Sequence, residues 1–85
     1  MPYRVIIPAR VQKQLDTLAA SDWWRVRDAI DQLAHVPRPP GSKKMQGSSE
    51  SWRVRAGNYR VIYTIEDDRL VVLVVKIGHR REVYR

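Results

Sequence analysis

The sequence predicts an α+β domain in the order β-α-α-β-β-β, with a helical hairpin packed on one face of a small, mostly antiparallel sheet. Three observations predict it. Ser51 to Tyr63 alternates apolar and cationic residues on both sides of Gly57-Asn58, the pattern of a tight β-hairpin. Val11, Leu15 and Leu18, and then Trp23, Val26, Ile30 and Leu33, recur at helical spacing. Leu70 to Ile77 is a nearly continuous apolar run of strand length.

Each element can be justified in turn. Tyr3 to Ile7 is short and rich in Val and Ile, as a strand should be. Pro8 suits the first turn of a helix that carries Val11, Leu15 and Leu18 on one side. Ser21 or Asp22 can cap the second helix, and Pro37 ends it. His35 lies near its C-terminus, where the helix dipole favours a cation. Trp23 and Trp24 are successive, so they cannot both face the core, and one is expected to be half exposed. Residues 37–51 are dense in Pro, Gly and Ser and read as a loop that carries Lys43 and Lys44. Asp67-Asp68 reads as the next turn, and Leu70 to Ile77 as a strand buried on both faces. Gly78 is expected to break that strand, and Arg80 to Tyr84 to form a short strand or extended tail. There is no internal repeat, and residues 1–85 read as a single domain.

The hairpin specifies a register. With residues 57 and 58 as the loop, Ala56 faces Tyr59, Arg55 faces Arg60, Val54 faces Val61, Arg53 faces Ile62 and Trp52 faces Tyr63. One face is then Trp52, Val54, Ala56, Tyr59, Val61 and Tyr63, a core face for the helices to cover. The other carries Arg53, Arg55 and Arg60 as a basic floor open to solvent. Like charges directly opposite on a sheet cost roughly 0.2–1 kcal/mol. The simplest compensation is a polyanion held over that face.

Composition narrows the partners. The chain has 85 residues, a net charge of +7 and no Cys. Without Cys there is no disulfide framework and no thiolate zinc site, which fits a reducing cytoplasm. The longest unbroken apolar run, Leu70 to Val75, is far too short to span a membrane. The start, Met1-Pro-Tyr-Arg, carries no long apolar segment, so no secretory signal is expected. Residues 1–37 hold five Lys/Arg against four Asp/Glu, and residues 38–85 eleven against five. A basic half of this kind points to nucleic acid or an acidic protein. A membrane surface fits poorly, because the charges lie on strands and not on an amphipathic helix.

Lys43-Lys44-Met45-Gln46-Gly47, the Trp-Arg-Val-Arg…Gly-Asn-Tyr-Arg-Val-Ile-Tyr hairpin and the ending Ile-Gly-His-Arg-Arg-Glu-Val-Tyr together resemble the RelE/ParE superfamily of bacterial toxins, most closely its RelE branch. The likeness covers nearly the whole chain. It implies a RelE-like fold and a toxin of a type II toxin–antitoxin system. It further implies a ribosome-dependent endoribonuclease that cuts messenger RNA in the ribosomal A site without a metal or other cofactor and is silenced by a RelB-like antitoxin. By position, the two basic residues of the first hairpin strand match Arg53 and Arg55. The arginine of the next strand matches Arg60, the arginine after the Gly-basic pair matches Arg80, and the C-terminal tyrosine matches Tyr84. In some family members the first two positions are lysines, considered as general bases. Arginine does not give up its proton in a protein, so Arg53 and Arg55 can clamp and stabilise charge but cannot be the base.

The chemistry needs little else. RNA carries its own nucleophile, the 2′-hydroxyl. Guanidiniums match phosphate oxygens two at a time and can stabilise the pentacoordinate phosphate. No cluster of carboxylates or histidines suggests a metal site. His79 is the one side chain near the proposed site of a type that exchanges protons near neutral pH. Tyr84 could act if Arg80 and Arg81 stabilise its phenolate. The expectation is therefore Tyr84 as base or 2′-hydroxyl orienter and His79 or Arg80 on the leaving-group side, with Glu50 a weaker base candidate. Lys43, Lys44 and Arg81 are expected to touch RNA phosphates. Two other functions fit the same residues: a ParE-like inhibitor of DNA gyrase without nuclease activity, and a non-catalytic RNA-binding module. Keeping both the arginine face and the His79-Arg80…Tyr84 ending favours the nuclease.

Overall fold

The computed structural model describes residues 2–45 and 51–79. The elements are β1 (Arg4–Ile6), α1 (Ala9–Asp16), α2 (Ala20–Gln32), β2 (Lys43–Lys44), β3 (Ser51–Ala56), β4 (Tyr59–Glu66) and β5 (Val71–His79). They form two helices on a five-stranded sheet of order β1-β5-β4-β3-β2. Among the described residues only β1 runs parallel to its neighbour, β5. The expected order stands, with one more strand than expected: Lys43 and Lys44 are not loop residues but a short edge strand paired with Arg53 and Trp52.

The core lies between the helices and one sheet face. Val11 and Leu15 of α1 and Val26, Ile30 and Leu33 of the α2 stretch meet Val61, Tyr63, Val72 and Val74, all fully buried. Burying a side chain of this size contributes roughly 1.5–3 kcal/mol, so this layer dominates stability. The helix boundaries depart from expectation. α2 starts at Ala20 with Ala19 as its cap, and neither Ser21 nor Asp22 caps it. The start is held from outside the helix instead, where Trp23 Nε1 donates to Asp16 Oδ1 of α1 at 3.0 Å. Trp23 packs on the core and Trp24 stands 67 % exposed, edge-on to it at 4.9 Å. α2 ends at Gln32, five residues before Pro37.

The β3–β4 register is the one the alternation specifies, from Ala56 opposite Tyr59 to Trp52 opposite Tyr63. Gly57 takes φ +62°, which a type II′ turn requires at its first central residue and which costs glycine nothing. The turn at Asp67-Asp68 is also as expected. Two expectations for β5 are corrected. It is not buried on both faces: Val72, Val74 and Ile77 are buried while Leu73 is 36 % exposed, because the helices cover only one side. Gly78 does not break the strand, since pairing with Arg60 carries β5 on to His79. β1 covers β5 only from Val71 to Leu73. Beyond it, α1 meets the strand edge, and Ile77 N–H donates to Gln14 Oε1 at 3.0 Å. Among the described residues no helix is long and apolar enough to cross a membrane.

A candidate anion-binding site on the open sheet face

Alternation along β3 and β4 sends Arg53, Arg55 and Arg60 to the face away from the helices. β2 then adds Lys43 opposite Arg53. These four cations and Gly41 line one hollow of about 320 Å³. The floor is not uniformly open, as the sequence implied. Arg55 is exposed and Arg53 half-buried, but Arg60 is only 8 % exposed. A buried guanidinium opposite a second one costs more desolvation than a solvated surface arginine. The arrangement can hold an anion with several oxygens, because each guanidinium presents a planar fork.

The loop before β2 is held firmly. Arg38 donates to both carboxylate oxygens of Asp67, Nη1 at 3.1 Å and Nη2 at 2.8 Å. Tyr3 Oη donates to Asp67 Oδ1 at 2.6 Å. The same Arg38 guanidinium lies 5.2 Å from the centre of the Trp52 ring. Tyr63 Oη donates to the Pro37 carbonyl at 2.8 Å. The Arg38 fork, and after it the Tyr3 hydroxyl, hold the Asp67 carboxyl down at about 2. Burial pushes the Tyr63 phenol above its ordinary value, partly offset by a hydrogen bond with Ser42 and by the Arg38 charge.

The structure does not bring His79 to the arginines. His79 pairs with Tyr59, its ring edge-on to the tyrosine at 5.6 Å, on the helix side of the sheet. There it lines a second, larger hollow of about 660 Å³ with Lys13, Gln14, Thr17 and Lys76. His79 shares the face of the buried Ile77 because a register shift opposite Ile62 and Tyr63 moves the buried positions from Val72 and Val74 to Ile77, an irregularity the sequence pattern does not reveal. Gly41 and the strand character of Lys43 were the features sequence reasoning missed. Lys44 is exposed beside Trp52 and does not line the arginine hollow. Arg80, Arg81, Tyr84 and Glu50 lie outside the described residues.

This fold, with its paired basic strands, defines a class of small toxins. The family model for "ParE toxin of type II toxin-antitoxin system, parDE" matches residues 5–84. RelE1 of Methanocaldococcus jannaschii is 33 % identical over 88 residues, covering 100 % of this chain and 98 % of that protein. Toxin RelG of Mycobacterium tuberculosis is 27 % identical over 86 residues, covering 100 % of this chain and 99 % of that one. The crystal structure of the archaeal RelE–RelB complex from Pyrococcus horikoshii contains a chain of TM-score 0.83 and 32 % identity, matched over 94 % of this chain and 97 % of that chain. The chain belongs to the RelE/ParE superfamily of type II toxin–antitoxin toxins, on its RelE side.

Proposed function

We propose that the protein is a ribosome-dependent endoribonuclease that cleaves messenger RNA in the A site, in the cytoplasm, and that a RelB-like antitoxin silences it. One observation carries this reading: Lys43, Arg53, Arg55 and Arg60 converge on a single hollow. The 2′-hydroxyl attacks the adjacent phosphorus as it loses its proton, and the P–O5′ bond breaks. The products are a 2′,3′-cyclic phosphate and a 5′-hydroxyl that has gained a proton. Arg53, Arg55 and Arg60 offset the charge that accumulates on the phosphate oxygens, where preorganised donors act most strongly. Lys43 holds a neighbouring phosphate, and Lys44 and Arg81 are assigned to other phosphates of the RNA. Tyr84 is assigned to the 2′-hydroxyl. Arg80 is assigned to the leaving oxygen; His79, beside Tyr59 on the helix side of the sheet, is given no part in the step. No metal or cofactor is invoked, since the cations carry the charge. The antitoxin reading is supported by the RelE–RelB complex of the Pyrococcus horikoshii relative and by a net charge of +7 that an acidic partner would complement.

The test is a 5′-end map of a defined messenger RNA, with and without programmed ribosomes, beside the Arg53→Ala/Arg60→Ala and Arg80→Ala/Tyr84→Phe variants. Cuts that need an A-site codon and vanish in the variants are expected. A folded protein that cuts nothing in either condition would overturn the reading, and a supercoiling assay with gyrase would follow.

A further inference from the structure

We infer that Arg38 and Asp67, which do not line the arginine hollow, are positioning residues that hold Lys43 over it; this rests on the nuclease reading above. β2 is two residues long and, among the described residues, pairs only with β3. Its Lys43 sits opposite Arg53 and shares one hollow with Arg55 and Arg60, so like charge gives this edge strand no attraction to the sheet. The two-residue ladder and the bond from Met45 N–H to the Ser51 carbonyl at 2.9 Å are a short hold. A further hold lies just upstream. Arg38 is gripped at both ends by Asp67 in the β4–β5 turn, and its plane lies over Trp52, the residue opposite Lys44. Tyr63 holds the Pro37 carbonyl, and Ser42 N–H donates to the Pro39 carbonyl at 2.9 Å. Three prolines at 37, 39 and 40 stiffen the span between the clamp and the strand. Exposed ion pairs contribute little as a rule, and a bidentate pair within a network is the exception. Here the fork, the Tyr3 hydroxyl and the Trp52 ring share one guanidinium–carboxylate pair. The clamp directs the chain so that Lys43, not solvent, completes the hollow.

The experiment is a double-mutant cycle on ribosome-dependent cleavage, read as kcat and KM, with amide shifts of Lys43, Lys44 and Arg53 recorded by NMR on the same proteins. Arg38→Ala and Lys43→Ala are each expected to lower kcat/KM by about tenfold, the size of one charge-assisted hydrogen bond. The double variant is expected to fall no further. Asp67→Asn should reproduce the loss and Asp67→Glu should recover most of it, which also covers the case of an Arg38→Ala chain that does not fold. The three amides should shift in Arg38→Ala and Asp67→Asn. Additive losses in the double variant would overturn the proposal, because Arg38 would then act other than through Lys43. So would an unimpaired Arg38→Ala beside an impaired Lys43→Ala, or an unimpaired Lys43→Ala beside impaired arginine variants. If even the wild-type protein cuts no RNA, the nuclease reading has failed, and the amide shifts still decide whether the clamp holds β2.

Discussion

Arg55 and Arg60 stand directly opposite one another across the β3–β4 ladder, one exposed and the other only 8 % exposed. Like charges directly opposite on a ladder are unfavourable in themselves. Thr or Val at position 55 would suit the pleated surface better and would remove a like-charge contact. Such a pair fits a binding face whose stability is completed by its ligand. Arg55→Thr should therefore raise the stability of the free protein by roughly 0.2–1 kcal/mol. The same change should lower RNA cleavage, by on the order of 10²–10³ if Arg55 faces the phosphate in the transition state. Thermal unfolding and a single-turnover cleavage assay on the same preparation would check both. A lower melting temperature in Arg55→Thr would mean that this pair is not a cost to the fold.

Asp67 should govern the acid limb of stability. Its carboxyl is held at about 2, from an ordinary value of 3.8, first by Arg38 and then by Tyr3. A carboxylate depressed in the folded state stabilises the fold above its unfolded pKa, and that contribution disappears as the pH falls through the folded value. The loss should fall between about pH 4 and pH 2. Urea midpoints of wild type and Asp67→Asn should differ near neutrality and converge across that window. The difference should be modest, because the Asp67 side chain is 55 % exposed. A gap that stays constant down to pH 2 would show that the charge on Asp67 is not what Arg38 needs.

The parts of this fold that were legible in sequence are those that local pattern determines. Alternation around Gly57-Asn58 specified five cross-strand pairs, because a one-residue slip would put Val54, Val61 and Tyr63 in water. The helix faces were legible for the same reason. β2 was not, since two lysines in a Pro/Gly/Ser segment show no period. The segment that leads into it is anchored where Arg38 meets Asp67, 29 residues further along the chain. The start of α2 was misassigned because Trp23 bonding Asp16 replaces the cap that Ser21 or Asp22 would have supplied. The burial of Arg60 could not be seen either, because alternation assigns a face and not a depth. At the site, alternation brought the three arginines together, but the place of His79 depends on the register shift in the β4–β5 ladder, which an unbroken apolar run does not show.

Gln14 should secure the end of β5. Its side-chain carbonyl accepts from Ile77 N–H, on the edge that β1 leaves uncovered. Gln14→Ala should cost about 1 kcal/mol, the usual net value of such a bond. Gln14→Glu keeps an acceptor and should cost less. Amide exchange at Ile77 should speed up in the alanine variant, while Val72 and Val74 in the covered core keep their protection. Unchanged exchange at Ile77 would mean that water replaces Gln14 without loss.

Salt dependence should distinguish the two hollows. For single strands, each phosphate neutralised by a cation contributes about −0.7 to the slope of log K against log salt. An RNA oligonucleotide with a 2′-deoxy residue at the cleavage point removes the nucleophile and leaves binding alone to be measured. If Lys43, Arg53, Arg55 and Arg60 each meet a phosphate, alanine at any one of them should flatten the slope by about 0.7. Lys13→Ala and Lys76→Ala, in the hollow beside His79, should leave the slope unchanged. The opposite result, a flatter slope from Lys13→Ala or Lys76→Ala and none from the arginine variants, would place the RNA backbone along α1. His79 rather than Arg60 would then lie beside the phosphate.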